Sequence, residues 1–325
     1  MIILIVLLIG AIVFITYFVG DYFVRYSLIP NSGAEERKVA SEEHVSAMDL
    51  STATGTVVSD NYFKEKQLKE KWLEEMQVEA REVRISSHDG LTLSGHQFEH
   101  SAPTNHWAIL VHGYQSNENE TFTIGRHFYE EGYNVLTIAL RAHGNSEGKY
   151  IGMGYLDKDD LVSWTNYLVD QHPDSEIIYH GTSMGGATVL MASGLNLPNN
   201  VKAVVSDCAY SSLWDIFASE LNQRFSLPPF PGLYMAQIMA KIRAGYDVKD
   251  GNVAKFVEQG SLPTLFIHTT PDDFVPVSMA QTLYDAKIHG VKDLQIVEEG
   301  GHAAAKFVNP EKYYSTIFNF TDKYV

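Results

Sequence analysis

The sequence predicts an α/β fold with a mostly parallel central sheet flanked by helices. From residue 107 onward, short apolar runs alternate with stretches of helical periodicity, which is the pattern of parallel strands joined by helical crossovers. Residues 107–111 are apolar throughout, as expected of a strand covered on both faces. The chain has 325 residues, of which 45% are apolar, so it can bury one large core.

The chain begins with a candidate membrane span. Its first nineteen residues carry no charged side chain. A helix of that length spans about 28 Å, close to the roughly 30 Å of a bilayer's hydrocarbon core. A cleaved signal peptide is the alternative, but the basic segment that begins such peptides is missing. We therefore expect a transmembrane anchor over residues 1–24.

The next segments lead into the catalytic domain, which we expect to cover residues 62–325. Residues 25–61 contain a stretch rich in small and polar residues, which is typical of a linker. Charged and apolar residues alternate at helical spacing from 62 to 78, so this helix is expected to pack on the domain. Residues 82–86 and 91–98, joined through Asp89 and Gly90, predict an antiparallel hairpin at the sheet edge.

A pentad GTSMG at 181–185 follows an apolar strand and precedes a helix-forming stretch. A strand that turns straight into a helix strains the turning residue, and glycines on both sides let neighbouring backbones approach. Ser183 would then project its hydroxyl above the sheet. This arrangement is typical of a serine nucleophile.

A serine hydroxyl needs a base and an acid that orients the base. A predicted strand at 262–268 runs into Asp272, and a predicted strand at 294–297 is followed by His302. Serine, acid and histidine thus each follow a strand of their own, in the chain order typical of an open parallel sheet. Asp207, at the end of another predicted strand, is the alternative acid, and Asp273 is a third candidate.

The transition state of acyl transfer carries negative charge on oxygen, which two backbone N–H groups can stabilise. The strand at 107–111 ends in a loop that begins with residues 112–114. The backbone amides of Tyr114 and Met184 are the predicted donors.

The alternation of strands and helices breaks over residues 210–250. This interval is rich in aromatic side chains and methionine, and its prolines prevent one continuous helix. We expect a helical cap over the active site, with apolar side chains that wall a substrate pocket or pack the cap on the core.

From about residue 81 to its end, the chain resembles the α/β-hydrolase fold superfamily. The likeness rests on residues 112–114, 141–148, 181–185, 272–276 and 301–302, and it is strongest to bacterial membrane-bound cell-surface serine hydrolases, including BAAT-like and serine-aminopeptidase-like enzymes. It implies an α/β-hydrolase fold with a catalytic triad of Ser183, Asp272 and His302. One departure is Thr269, because relatives commonly carry glycine after the histidine matched to His268.

Composition excludes other classes of function. A net charge of −16 argues against nucleic-acid binding. Nucleotide-binding glycine motifs and clustered metal-ligand motifs are missing, so we expect neither cofactor nor metal. His112, His143 and His268 are expected to make local hydrogen bonds. Cys208 is the only cysteine, which excludes an internal disulfide.

The expected function is hydrolysis of carboxylic esters through an acyl-enzyme, by a single-pass protein of the cell membrane. A peptidase, aminopeptidase or thioesterase activity on the same triad, or a catalytically silent binding module, is the alternative. Arg25, Arg37 and Lys38 follow the span and favour a cytoplasmic domain by the positive-inside rule. The resemblance favours an extracellular one, which is the side we expect.

Overall fold

The computed structural model describes residues 1–32, 53–75 and 81–325. Within these residues, eight strands form one sheet in the order β1-β2-β4-β3-β5-β6-β7-β8. The strands are β1 Arg81–Ser86, β2 Thr92–Phe98, β3 His106–Val111, β4 Asn134–Ile138, β5 Glu176–Thr182, β6 Val201–Asp207, β7 Thr264–Thr269 and β8 Lys292–Val297. β1 pairs with β2, and β2 with β4, in antiparallel fashion, whereas the pairs from β4 to β8 are parallel. The predicted fold class and the predicted edge hairpin are confirmed.

Helices cover both faces of the sheet and both ends of the chain. They are α1 Ile2–Leu28, α2 Ala53–Glu75, α3 Phe122–Glu130, α4 Asp157–Gln171, α5 Met184–Ser193, α6 Leu213–Phe225, α7 Gly232–Arg243, α8 Val253–Gln259, α9 Ser278–Ala286, α10 Ala305–Val308 and α11 Pro310–Thr321. Short 3₁₀ helices lie at Glu118–Thr121 and Val248–Asp250.

The core lies on the two faces of the central strands. Side chains of a strand point alternately to opposite faces, and along β3 Trp107 and Ile109 join one buried cluster while Ala108 and Leu110 join the other. Trp164 of α4 packs in the first cluster and Phe128 of α3 in the second. Both faces of β3 are therefore covered, as its continuous apolar sequence indicates.

The interval predicted to form a cap contains α6 and α7 as a helical pair. α1 packs along α7, because the small Gly20 of α1 lies directly against the Met235 carbonyl and the Met239 side chain. Phe23 of α1 also packs edge to face on Phe225 of α6. The N-terminal helix and the cap are thus one packed unit.

α1 is long and apolar enough to cross a membrane. Its most apolar window has a mean hydropathy of 3.1, and none of the residues in that window is buried. A signal sequence would have the same properties.

The predicted linker differs from what the structure describes. Residues 33–52 lie outside the described residues, as do residues 76–80 at the end of the helix predicted over 62–78. Residues 25–28 continue α1, and residues 53–61 form the first turns of α2. Val58 of α2 is buried with Ala304 and Phe307, so this helix packs on the domain.

Candidate active site

Ser183 lies at the sharp turn between β5 and α5, and its backbone adopts φ 56° and ψ −115°. A non-glycine residue rarely adopts a positive φ, and such strain concentrates at functional sites. The glycines of the pentad make the turn possible. A Cβ on Gly181 would strike the backbone of Gly185, and a Cβ on Gly185 would strike the Val111 carbonyl at the end of β3.

His302 lies between Ser183 and Asp272. Its Nδ1 is 2.7 Å from Asp272 Oδ2, and its Nε2 is 2.8 Å from Ser183 Oγ. A carboxylate can only accept, so the imidazole donates its Nδ1 proton to Asp272. Nε2 is then left with a lone pair that accepts the hydroxyl proton of Ser183. This is the tautomer that a general base requires.

Asp272 is held as a carboxylate. Its Oδ1 accepts the backbone N–H groups of Phe274 and Val275 at 2.9 and 2.8 Å. Burial alone would raise the pKa of Asp272, but the charges and hydrogen bonds of His302 and His268 lower it well below its usual range. The acid side chain is therefore ionised and fixed in position.

The two alternative acids do not reach the imidazole. Asp207, at the end of β6, accepts the Tyr313 hydroxyl at 2.8 Å, and burial raises its pKa. Asp273 is exposed to solvent. In the described part of the chain, the side chain of His302 has hydrogen-bond partners in Asp272 and Ser183 and a weak contact with Cys208, but none in either alternative acid.

The loop after β3 passes beside the nucleophile. A Cβ on Gly113 would lie 3.6 Å from Ser183 Cβ, so the loop backbone leading to Tyr114 borders the serine. Met184 begins α5 directly after Ser183, so its amide lies at the helix N-terminus. The two predicted oxyanion donors therefore belong to neighbouring backbones.

Two buried histidines hold this loop. The Leu140 amide donates to His112 Nε2 at 3.1 Å, and His112 Nδ1 lies 2.7 Å from the Gly113 carbonyl. His143 Nε2 accepts the Gln115 amide at 3.1 Å. Burial, with the neighbouring His143, lowers the pKa of His112 to about 3, so the ring is neutral and one nitrogen can accept while the other donates. The local hydrogen-bonding role predicted for these histidines is confirmed.

Thr269 and His268 contact the loops that carry His302 and Asp272. The Thr269 hydroxyl donates to the Gly301 carbonyl at 3.0 Å and so ties the end of β7 to the loop that carries His302. His268 Nε2 lies 2.9 Å from the Val275 carbonyl and 3.3 Å from Asp272 Oδ2. The threonine that departs from the family pattern thus makes a contact that glycine could not make.

An apolar pocket opens on one side of Ser183. It has an empty volume of about 910 Å³, which includes its open mouth. The cap supplies one wall through α6 and α7, and α1 supplies another. The lining residues nearest these walls include Phe23, Val24, Leu28, Phe217, Leu221, Leu233, Ala236 and Ala240. An apolar pocket therefore lies under the cap, and the N-terminal helix lines part of it; its role in binding substrate stays a prediction.

A second pocket also borders Ser183, with an empty volume of about 1660 Å³, and we call it the polar pocket because lysine and asparagine side chains contribute to its lining. Lys66 and Lys69 of α2, Asn117 and Asn119 of the β3–α3 connection, and Lys306 of α10 line it. The contribution of α2 could not be predicted from the sequence, because a helix with many surface charges gives no sign of which face borders a cleft.

Among the described residues, two groups of side chains bring potential metal ligands together, and most of these side chains already have other partners. Cys208, Asp272 and His302 form the first group. Burial raises the pKa of the Cys208 thiol far above its usual range, which leaves a protonated sulfur. In the second group, Asp89 and Asp160 both pair with Arg141, at 2.9 and 2.7 Å. Neither arrangement matches a vacant cation site.

Comparisons with known proteins agree with this architecture. The sequence model of the alpha/beta hydrolase fold matches residues 107–234. YqkD, an uncharacterized protein of Bacillus subtilis, is 32% identical over 248 residues, which cover 76% of this chain and 80% of that one. YfhR, an uncharacterized protein of Escherichia coli, is 24% identical over 233 residues, or 70% of this chain and 74% of that one.

Solved structures share the fold. An esterase of Pyrococcus furiosus has a TM-score of 0.64 and 24% identity, over 78% of this chain and 94% of the esterase. An acylaminoacyl peptidase of Pyrococcus horikoshii has a TM-score of 0.55 and 17% identity, over 74% of this chain and 41% of the peptidase. The sheet order, the strained serine turn and these likenesses lead to one conclusion: the chain belongs to the α/β-hydrolase fold family.

Proposed function

We propose that this protein is a membrane-anchored serine hydrolase that cleaves carboxylic esters through an acyl-enzyme. One observation carries the proposal. Asp272, His302 and Ser183 form a continuous hydrogen-bonded chain of 2.7 and 2.8 Å, on a serine whose backbone is strained at φ 56°. This is the geometry that makes a serine hydroxyl nucleophilic at neutral pH.

In the first step, Ser183 Oγ attacks the ester carbonyl carbon and its proton passes to His302 Nε2. The imidazolium is stabilised by the Asp272 carboxylate. When the tetrahedral intermediate collapses, the bond to the leaving alcohol breaks and the alcohol takes the proton from His302. In the second step, water loses a proton to His302 and attacks the acyl carbon, which releases the carboxylic acid and restores the Ser183 hydroxyl.

The oxyanion of each tetrahedral intermediate is assigned to the backbone N–H groups of Tyr114 and Met184. The loop beside Gly113 and the first turn of α5 border the serine, and His112 and His143 hold that loop from within. Donors fixed in this way do not need to reorganise when charge develops, and one such donor is worth roughly 10²- to 10³-fold in rate.

The two pockets divide the substrate into halves. The apolar pocket suits an acyl chain, and the polar pocket suits the leaving alcohol with its hydrogen-bonding or charged groups. Ser183 lines both pockets, so the scissile bond would lie at their junction. The same acyl chemistry would serve a thioester or an amide, so hydrolysis of these two substrate classes is the alternative to ester hydrolysis.

The side of the membrane is a separate part of the proposal. We place the domain outside the cell, although Arg25, Arg37 and Lys38 after the span favour the cytoplasm. Protease added to intact cells would digest an external domain. A domain that resists the protease in intact cells, but is digested after lysis, would lie in the cytoplasm.

The test of activity is fluorophosphonate labelling of the full-length protein. Ser183→Ala is expected to abolish labelling. Ser206→Ala is the matched control, because Ser206 is a buried serine at the end of the neighbouring strand β6. A panel of short-chain esters, thioesters and aminoacyl amides then ranks the substrates. Folded wild-type protein that takes no label would favour a catalytically silent binding module.

A further inference from the structure

The cap helix α7 presents three different faces. At 100° per residue, Leu233, Ala236 and Ala240 fall on one side, and all three line the apolar pocket. Met235 and Met239 fall on the next side, where they contact Gly20 of α1. The third side carries Tyr234, Ile238 and Ile242, which are 43%, 51% and 68% exposed. We call these last three residues the cap stripe.

The cap stripe is an exposed apolar surface beside a candidate membrane span. Phe230, just before α7, extends it and is 72% exposed. A contiguous exposed patch of large apolar side chains is unusual on a protein surface and often indicates contact with a membrane or a partner. The residue pattern also fits a helix that lies in a bilayer interface, with basic residues Lys241 and Arg243 in its last turn.

Contacts between α1 and α7 indicate where the cap stripe lies relative to the candidate membrane span. The two helices run in opposite directions: Arg243, at the end of α7, is 3.0 Å from the Tyr17 hydroxyl, while Gly232, at its start, lies beside Phe23. Arg243 also pairs with Asp21 at 3.0 Å, the first charged residue of the chain. A span of about 20 residues ends at this level.

The C-terminal turn of α7 therefore lies where the span leaves the hydrocarbon. Ile242 is next to Arg243, and Ile238 is one turn away, so both are at the level of the membrane surface. Tyrosine and arginine are typical of that level, because their apolar stems stay in the lipid while their polar ends reach water. A membrane contact accounts for Tyr17, Arg243 and the cap stripe together.

The apolar pocket begins at the same level. Ala240, which lines the pocket, follows Met239, and Met239 contacts Gly20 at the end of the span. From there the pocket follows Val24 and Leu28 of α1 inward and ends at Ser183. Walls that are apolar apart from the paired Glu220 and Arg224 thus connect the membrane level with the nucleophile.

From this continuity we propose that the cap stripe docks on the bilayer around α1, and that the apolar pocket takes the long acyl chain of a membrane lipid ester directly from the bilayer. The inference rests on the proposed ester hydrolysis and names its substrate class. The acyl chain enters the apolar pocket that α1, α6 and α7 line, and the polar head group of the lipid occupies the polar pocket.

The first experiment compares two esters on the full-length protein in phosphatidylcholine vesicles. The bilayer substrate is 1-oleoylglycerol, and the soluble substrate is p-nitrophenyl butyrate. The double variant Ile238→Asp/Ile242→Asp is expected to lower the ratio of the bilayer rate to the soluble rate by about tenfold, because charge opposes docking. Fluorophosphonate labelling of each variant checks that the site is intact.

The matched control is Ile288→Asp/Val291→Asp, which places the same charges on equally exposed apolar residues in the loop between α9 and β8. Its ratio is expected to stay within about twofold of wild type, as for surface substitutions away from a functional face. Equal ratios in both double variants, with normal labelling, would overturn this inference alone. Wild-type protein that neither labels nor hydrolyses either ester would overturn the proposed function with it.

A second experiment measures contact with lipid without using activity. Cys208 is buried, so a cysteine placed at Ile238 or Ile288 can be labelled selectively with an environment-sensitive fluorophore. We expect spin-labelled lipids to quench the fluorophore at position 238 strongly and the fluorophore at position 288 weakly. Equal quenching would overturn the membrane contact. Weak quenching at position 238, together with a change of oligomeric state in Ile238→Asp/Ile242→Asp, would show that the cap stripe contacts a second copy of the chain and not the membrane.

Discussion

Replacing Asp272 with asparagine tests the hydrogen-bond logic of the site with a minimal change of shape. The carboxylate uses its two oxygens for different partners. Oδ1 accepts two backbone amides, from Phe274 and Val275, and Oδ2 accepts the Nδ1 proton of His302. An asparagine has one oxygen and one NH₂ group, so it can satisfy only one of these two sides.

Each orientation of the new amide fails for a different reason. With its oxygen toward the two backbone amides, its NH₂ faces Nδ1, which must then accept. The imidazole proton moves to Nε2, and the base can no longer take the Ser183 proton. With the amide reversed, two buried N–H donors lose their acceptor, at a cost of about 1–3 kcal/mol each. The first orientation is favoured, and the wrong tautomer lowers kcat by about 10⁴-fold, or about 5.5 kcal/mol.

The assay is kcat/KM for p-nitrophenyl butyrate together with the rate of fluorophosphonate labelling. Asp273→Asn is the matched control, since Asp273 is adjacent and exposed, and it is expected to stay within about twofold of wild type. Asp207→Asn is also expected to keep the triad, because its carboxylate bonds to Tyr313. A fall of less than about tenfold in Asp272→Asn, or a larger fall in Asp207→Asn, would refute the assigned acid.

Three other changes have defined outcomes. Gly185→Ala places a methyl against the carbonyl oxygens of Val111 and His112, the latter at 2.6 Å; the displaced oxyanion donor should lower kcat/KM by about 10²-fold or more. Ala240→Phe fills the apolar pocket, so the kcat/KM ratio of p-nitrophenyl laurate to acetate should fall by about tenfold or more. Asp157→Asn should raise the midpoint of thermal unfolding more at pH 8 than at pH 5, because burial raises the pKa of Asp157 to about 7 in the folded protein. As pH rises from about 4 to 7, the unfolded chain ionises this carboxyl while the folded protein keeps it protonated, so the wild type loses stability that the asparagine variant keeps.

Each of these has its own contradicting result. For Gly185→Ala the control is Gly125→Ala, where the added Cβ meets only side-chain atoms at 3.3 and 3.5 Å; equal losses in both would refute the steric argument. If Ala240→Phe lowers kcat/KM equally for the acetate and the laurate ester, the acyl chain does not bind in the apolar pocket. A gain in Asp157→Asn that does not depend on pH would show that the carboxyl is not the titrating group.

The parallel sheet and the arrangement of Ser183, Asp272 and His302 could be predicted because local sequence signals them. Apolar runs buried on both faces identify the central strands, and the polar residues that follow three of them come together at one edge of the sheet. The family resemblance favours Asp272 as the acid, but the strand pattern alone does not exclude Asp207. Both follow a strand, and only the loop geometry after β7 brings one of them to His302.

The roles of the two N-terminal helices could not be predicted, because they depend on contacts with distant parts of the chain. α2 begins at Ala53, ahead of the predicted start at residue 62, although the early turns contain Gly55 and Val58, which have low helix propensity. Packing of Val58 on Phe307, and the 2.8 Å hydrogen bond from Asn61 Nδ2 to the Phe307 carbonyl, override that propensity.

The contribution of α1 to the apolar pocket was likewise invisible in the sequence. A run of apolar residues long enough to span a bilayer has no local feature that marks which of its last turns also contact the domain. Phe23 and Val24 line the pocket only because α7, more than 200 residues later, packs beside Gly20. A fragment that lacks α1 would therefore lose one wall of the proposed acyl pocket.

The most direct test of the central claim is to isolate the covalent intermediate. Full-length protein is mixed with p-nitrophenyl butyrate, quenched with acid during turnover, digested and examined by mass spectrometry. The proposed mechanism predicts a butyryl group on Ser183, found in wild type and Ser206→Ala and missing from Ser183→Ala and from His302→Ala. Turnover without an acyl group on Ser183, or an acyl group on another residue, would contradict it.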